Sequence, residues 1–245
     1  MMTHLLVLTT RQMRRFVDTK SVHIDTPTAT ITPSTVERLL GAQVHQDMRW
    51  VEHVLESNEA LVKSLNSRLG ALKKISHVAS FKTRKTIANG IFMSKLIYLM
   101  PLWSGCEDYL VRSLQVVQNK AARVVARLSI FTPTKTLMLT CGWLSVRQLL
   151  VYHSLVLLYR TLANHKPDYL YRKLRSGGDF TYKTRQAASG TIRQRPGSTL
   201  DLSRQSWGWK SIEVYNTLPQ SLRSEKKLTN FKKRLKDWIK KNVEI

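Results

Sequence analysis

Hydrophobic positions recur at helical spacing through the middle of the chain, most clearly from Leu110 onward. Leu110, Leu114, Val117, Ala121, Val124, Val125 and Leu128 fall on one face. Arg112, Asn119, Lys120, Arg123 and Arg127 fall mostly on the other, so one helix joins an apolar seam to an acid-free basic face. A solvated surface is the ordinary use of such a face. The lack of acids favours phosphate contact, because ordinary faces mix signs. Upstream, residues 50–76 place Val51, Val54, Leu55, Leu61, Val62, Leu65, Leu69, Leu72 and Ile75 along one broad stripe, with Gly70 as a soft spot. Residues 87–100 are apolar on nearly every side and read as a buried central helix that Pro101 ends or kinks. A short helix is expected near 135–140, a long one over 146–163 and a closing one over 231–242. The closing helix puts Phe231, Leu235, Trp238 and Ile239 on one face with six Lys/Arg around them. Its KKRLK run (232–236) reads as a solvated face before a nuclear-localisation patch.

The first part of the chain follows a different pattern. Residues 4–9, 22–24 and 28–32 are rich in β-formers, with Pro27 and Pro33 as breaks, and ERLLGAQV (37–44) reads as a strand pair, or a strand and turn, around Gly41. Such short strands cannot bury both faces alone, which suggests the edge of a larger sheet. From 176 to about 206 the periodicity fails. Over 180–211, six Lys/Arg, Arg193 and Arg195 among them, face one acid, Asp201. This is either a flexible linker or a basic arm that orders on nucleic acid. Trp207, Trp209, Tyr215, Leu218 and Pro219 then form a small apolar knot. The organisation that follows is 1–47, 48–175, 176–206 and 207–245.

Charge sharpens the picture. The 245 residues carry 40 Lys/Arg against 16 Asp/Glu, a net charge of +24. Residues 1–48 hold only +1 of it, so +23 lies in residues 49–245, and the expected partner is a polyanion, nucleic acid before membrane. Two cysteines, Cys106 and Cys141, are too few for a disulfide framework or a Cys-based zinc site and read as reduced thiols. LLVL (5–8), closely followed by Arg11, is too short for a secretory signal. Lys95, Pro101, Arg147, His153 and Arg160 interrupt the longest apolar stretches. A nuclear or cytoplasmic location without a membrane partner is expected.

Several segments resemble, in order, the reverse transcriptases of non-LTR (LINE-type, jockey-like) retrotransposons. LIYLMPLW followed by VVQNKAARVV is similar to the segment after the polymerase palm in that family. GWLSVRQLLVYHSLVLLYRTL, PDYLYRKL, WKSIEVYNTLP and TNFKKRLKDWI match further stretches, while LLVLTT and ERLLGAQVHQDMRWVEHV resemble the end of the palm and the start of the thumb. The resemblance implies a mainly α fold: a thumb-like helical bundle after a small β remnant of the palm, with a basic loop and a C-terminal helix. It implies a primer-grip-like hairpin at Leu39, Leu40 and Gly41, where glycine permits close backbone approach to a primer end. It also implies that the helices follow RNA, DNA or an RNA–DNA hybrid through its backbone. Arg112, Lys120, Arg123 and Arg127 are the expected phosphate contacts, with Arg193 and Arg195 in the loop. Trp207 and Trp209 beside Lys210 are candidates for base stacking, with a core role for at least one of them the more ordinary reading.

The catalytic residues of the family are not matched. Two-metal polymerisation needs tightly clustered carboxylates, which the family supplies partly from a Tyr/Phe-x-Asp-Asp turn. This sequence has no Asp-Asp pair; Glu107–Asp108 suits a helix start, and Asp18, Asp25 and Asp47 are scattered. Met1 thus reads as an internal start in a truncated element, with no catalytic residues and no metal or other cofactor in this chain; Mg²⁺ belongs to the intact parent polymerase. His45 and His53, eight apart, read as caps or packing residues before a metal pair. No GxSxG, HExxH, P-loop or Rossmann fingerprint occurs. Two other readings stay open: a helical interaction module recruited by a host, and a non-functional relic of a mobile element.

Overall fold

The computed structural model describes residues 4–9, 16, 21–27, 29–175, 191–192 and 206–244. The protein is mainly α. Its strands are short: β1 (Leu5–Leu6), β2 (Ile24–Asp25), β3 (Thr30–Ile31), β4 (Pro33–Ser34), β5 (Val36–Leu39) and β6 (Ala42–His45). They form three separate pairs: β1 with β4 in parallel, β2 with β3 and β5 with β6 antiparallel. In the last pair Val36 lies opposite His45 and Leu39 opposite Ala42, so the turn at Gly41 is a tight hairpin.

Residues 50–76 do not make the single helix that their stripe suggests. A π-helical turn, Glu52–Glu56, ends at Ser57, which is extended (ψ 158°), and α1 runs from Leu61 to Ser76. Ser57 and Asn58 interrupt the stripe with polar side chains, and the apolar period resumes after them. Residues 87–100 also differ from expectation. The helix begins earlier, as α2 (Phe81–Ala88), where the Ser80 hydroxyl accepts the Thr83 N–H. It passes through a π-helical turn (Asn89–Met93) into α3 (Ser94–Ile97). Only one side is buried: Ala88, Phe92, Met93, Leu96 and Met100 face the core, while Asn89, Gly90, Ser94 and Tyr98 are exposed. Arg68 of α1 reaches across to donate to the Ile91 carbonyl at 2.8 Å, within the π turn.

α4 (Asp108–Ala126) buries Leu110, Leu114, Val117, Ala121 and Val125, the seam read from sequence, with Val124 at its margin. α5 (Thr134–Cys141) and α6 (Val146–Asn164) follow, α6 opening on a capping box between Ser145 and Gln148. α7 is Asp168–Arg175. The expected apolar knot is instead a helix, α8 (Trp207–Thr217), followed by the one-turn α9 (Gln220–Arg223) and by α10 (Leu228–Asn242). Tyr159 of α6 stacks on Phe231 of α10 with ring centroids 4.2 Å apart, and its hydroxyl donates to the Glu225 carbonyl at 2.8 Å. Gln148 donates to the Val243 carbonyl at 2.9 Å. One apolar core therefore continues from Val54 to Ile239. Among the described residues no single helix is long and apolar enough to cross a membrane; the bent pair α5–α6 reaches that hydropathy only together, and α6 is largely buried.

Candidate nucleic-acid interface

The hairpin is the most clearly presented of the expected contacts. Leu40 and Gly41 both have positive φ (49° and 83°), as a two-residue hairpin turn matched to strand twist requires. Tyr98, just past α3, donates its hydroxyl to the Leu40 carbonyl at 2.9 Å and props the turn from behind. Leu39 and Leu40 point outward, 63% and 79% exposed, while Ala42 on the next strand is fully buried. A tip with two exposed leucines, held by a buried strand and a tyrosine, presents an apolar edge to whatever approaches.

The basic face of α4 divides. Arg112 and Lys120, eight residues apart, are both exposed and share one stripe with Tyr109 and Val116. Arg123 is half-buried and donates to the Thr132 carbonyl at 3.3 Å, with its Nε buried and without a partner. Arg127 does not belong to the face. It is the left-handed residue that ends the helix (φ 53°), and its guanidinium donates to the Ser76 and His77 carbonyls at 2.8 and 2.9 Å. The orphan carbonyls at the end of α1 draw it there.

Sequence reasoning also missed the polar residues of the QN segment. Gln118 is fully buried and donates to the Leu144 carbonyl at 2.9 Å. Gln115 donates to Gln118 and Asn119, each at 2.9 Å, and accepts the Val146 N–H at 2.8 Å. Asn119 donates to Thr134 at 2.8 Å. These amides pin the starts of α5 and α6 to α4, so their role is to hold the scaffold under the exposed stripe. A buried amide on the seam side of the helical period was the signal available.

Trp207 and Trp209 are half-buried in the first turn of α8, where Ser206 accepts the Trp209 N–H. Trp207 packs on the core with its indole N–H buried and unpartnered. Lys210, half-buried, faces a cavity between α4, α6 and α8. Arg193 and Arg195 lie outside the described residues. α10 adds a cationic surface: Phe231, Leu235 and Ile239 are buried, and Lys233, Lys240 and Lys241 are exposed. Its Arg234 is held by Ser221 and Glu225.

No family model, curated protein or solved structure matches this chain.

The two histidines lie in different elements. His45, in β6, sits 3.8 Å from Asp47 and 3.6 Å from Glu52. His53 is buried in the π turn, where its Nδ1 faces the Gln43 N–H at 3.4 Å. Burial first, then the charge of Lys95, lowers the His53 pKa to about 4, so the ring is neutral near pH 7. Among the described residues no group of three or more His, Cys, Asp or Glu is arranged to hold a metal ion. Burial pushes the Cys141 thiol up to about 11, which makes it a packing residue and not a nucleophile.

Proposed function

We propose that this chain is the C-terminal part of a non-LTR-type reverse transcriptase, which holds nucleic acid through its backbone and does not itself polymerise. One observation supports the reading above others. ERLLGAQV and LIYLMPLW, two segments that resemble the family's primer grip and post-palm helix, meet through the Tyr98–Leu40 hydrogen bond across 58 residues of sequence. The exposed leucine tip then faces a strand end, and the cationic stripes of α4 and α10 follow the phosphates. Two assays test this. Primer extension with Mg²⁺ or Mn²⁺ is expected to give no product above a no-protein control, since catalysis needs paired carboxylates. Binding to a hybrid with a recessed 3′ end is expected to exceed binding to a blunt one, and changing Leu39 and Leu40 together to Ser is expected to erase the difference. Template-dependent incorporation, or no end preference in the unaltered chain, contradicts the proposal.

A second reading, a recruited interaction module, draws on one feature. Val78, Ile130 and Phe131 are all exposed, on two loops that lie close to Arg127. A chain that binds no nucleic acid at low salt favours that reading.

A further inference from the structure

Two loops at one end of the bundle leave large apolar side chains in water. Val78, between α1 and α2, is 81% exposed; Ile130 and Phe131, between α4 and α5, are 73% and 87% exposed. Arg127 joins the two loops through the Ser76 and His77 carbonyls. The second loop is held at several points. The Ser129 hydroxyl accepts the Phe131 N–H at 3.3 Å, and the Ser129 carbonyl accepts the Thr132 N–H at 3.1 Å. From α4, Arg123 donates to the Thr132 carbonyl at 3.3 Å and Asn119 to the Thr134 hydroxyl at 2.8 Å. Arg123 lies on the line of the exposed α4 stripe, three residues past Lys120. The loop therefore folds back beside that stripe.

Charge decides what such a patch can meet. No Asp or Glu occurs from residue 60 to 106 or from 109 to 167, the stretches that build α1, α2, α5 and all of α4 beyond Asp108. Lys73 and Lys74 in the last turn of α1, Lys82 in the first turn of α2 and Lys135 in the first turn of α5 are exposed at this end. The cores of protein interfaces are depleted in charge, Lys above all, and a second copy of so cationic an end is repelled. Apolar side chains among cations, without acids, fit a polyanion. The cationic surface also continues into the α4 stripe, where Arg112 and Lys120 are eight residues, about 12 Å, apart along the axis. Phenylalanine and isoleucine are side chains that enter between stacked bases from the minor groove and unstack a step. In A-form helices that groove is wide and shallow, within reach of a short loop.

We propose that the loop between α4 and α5 is a wedge: Phe131, backed by Ile130, enters one base step of a hybrid whose phosphates lie along Arg112 and Lys120, and unstacks it. The proposal rests on the nucleic-acid reading and adds what that reading does not contain, a point where the bases themselves are engaged. The ligand it selects is a hybrid with one weak step, a mismatch or a gap, since opening such a step costs less.

Fluorescence of 2-aminopurine, which rises when the base unstacks, tests it on the full chain. A series of RNA–DNA hybrids carries the probe at successive positions of the DNA strand. A severalfold rise is expected at one position, and a mismatch placed there is expected to tighten binding by about tenfold, the equivalent of one stacking step. Ile130→Ser combined with Phe131→Ser is expected to remove both effects and to leave the salt slope unchanged, because no charge is lost. Phe131→Trp is expected to keep both. Circular dichroism and thermal melts confirm the fold, which substitutions at such exposed positions leave intact. The proposal is overturned if the hybrid binds and no position brightens, or if the rise survives the double serine change; the patch then returns to the interaction-module reading. It is also overturned if that change leaves the hybrid signals as they were and instead abolishes binding to vesicles of phosphatidylcholine and phosphatidylserine. In each of these cases salt-dependent hybrid binding leaves the nucleic-acid reading standing; its absence removes both.

Discussion

Arg127 and Arg84 donate to the same carbonyl, that of Ser76, at 2.8 and 3.5 Å. Arg127 also reaches the His77 carbonyl, and Arg84 reaches those of Ala79 (2.6 Å) and Val125 (2.8 Å). Two guanidiniums thus occupy the C-terminal ends of α1 and α4, where the helix dipole is negative. Burial, and then the nearby Arg127 charge, lowers the Arg84 pKa from its ordinary value, but an arginine keeps its proton.

Arg84→Met is therefore expected to destabilise the bundle strongly. Arg84 is 4% exposed, and its loss strands the Ala79 and Val125 carbonyls at about 1–3 kcal/mol each. Arg84→Lys is expected to rescue little, since one ammonium cannot reproduce the fork. Arg127→Gln is expected to cost about 1 kcal/mol, the scale of one hydrogen-bonded group near the surface. Thermal melts of the three variants decide the matter. An Arg127→Gln chain as stable as the unaltered one would return this residue to the binding face.

Stability is expected to fall as pH drops from about 6.5 toward 4. His53 is depressed from 6.5 to about 4, so between those values the unfolded chain binds a proton that the folded chain refuses. The contribution is complete above pH 6.5 and is lost on acidification, about 3 kcal/mol in all. His153, lowered by burial and then by Lys232, acts in the same direction. Denaturant unfolding at a series of pH values should show the loss shrinking in His53→Gln. An equal slope in that variant would show that His53 is not the source.

Gly41→Ala is expected to weaken the hairpin. A Cβ at Gly41 would meet Tyr98 at 3.6 Å, an ordinary contact, so the cost comes from φ +83°, about 1–2 kcal/mol for an L side chain. Hydrogen exchange at Val36–Leu39 and Ala42–His45 should quicken while exchange at α4 is unchanged. Unaltered protection of the hairpin would contradict the turn geometry.

How far the sequence reached depended on the kind of order involved. The α4 seam was readable because burial follows the helical period, and the Gly41 turn because two residues there need positive φ. Arg127 lies off the α4 face, which periodicity cannot tell, because the helix stops at Ala126 and one left-handed residue turns the side chain toward the end of α1. The stripe over 50–76 hid the break at Ser57, since its apolar period resumes beyond it. Gln118 drew no reading from the sequence and is buried, on the seam side of the helix. The cavity between α4, α6 and α8 was not readable at all, because its walls meet only through the packing of those helices.

If the cationic stripes of α4 and α10 hold nucleic acid by its phosphates, as proposed, binding must weaken steeply with salt. If about six Lys/Arg engage phosphates, log K is expected to fall against log salt with a slope of roughly −4 to −6. Changing Arg112 and Lys120 together to Gln should reduce the slope by about one unit per residue while leaving the melt within about 0.5 kcal/mol per change. A slope near zero, or no binding at low salt, would contradict the account.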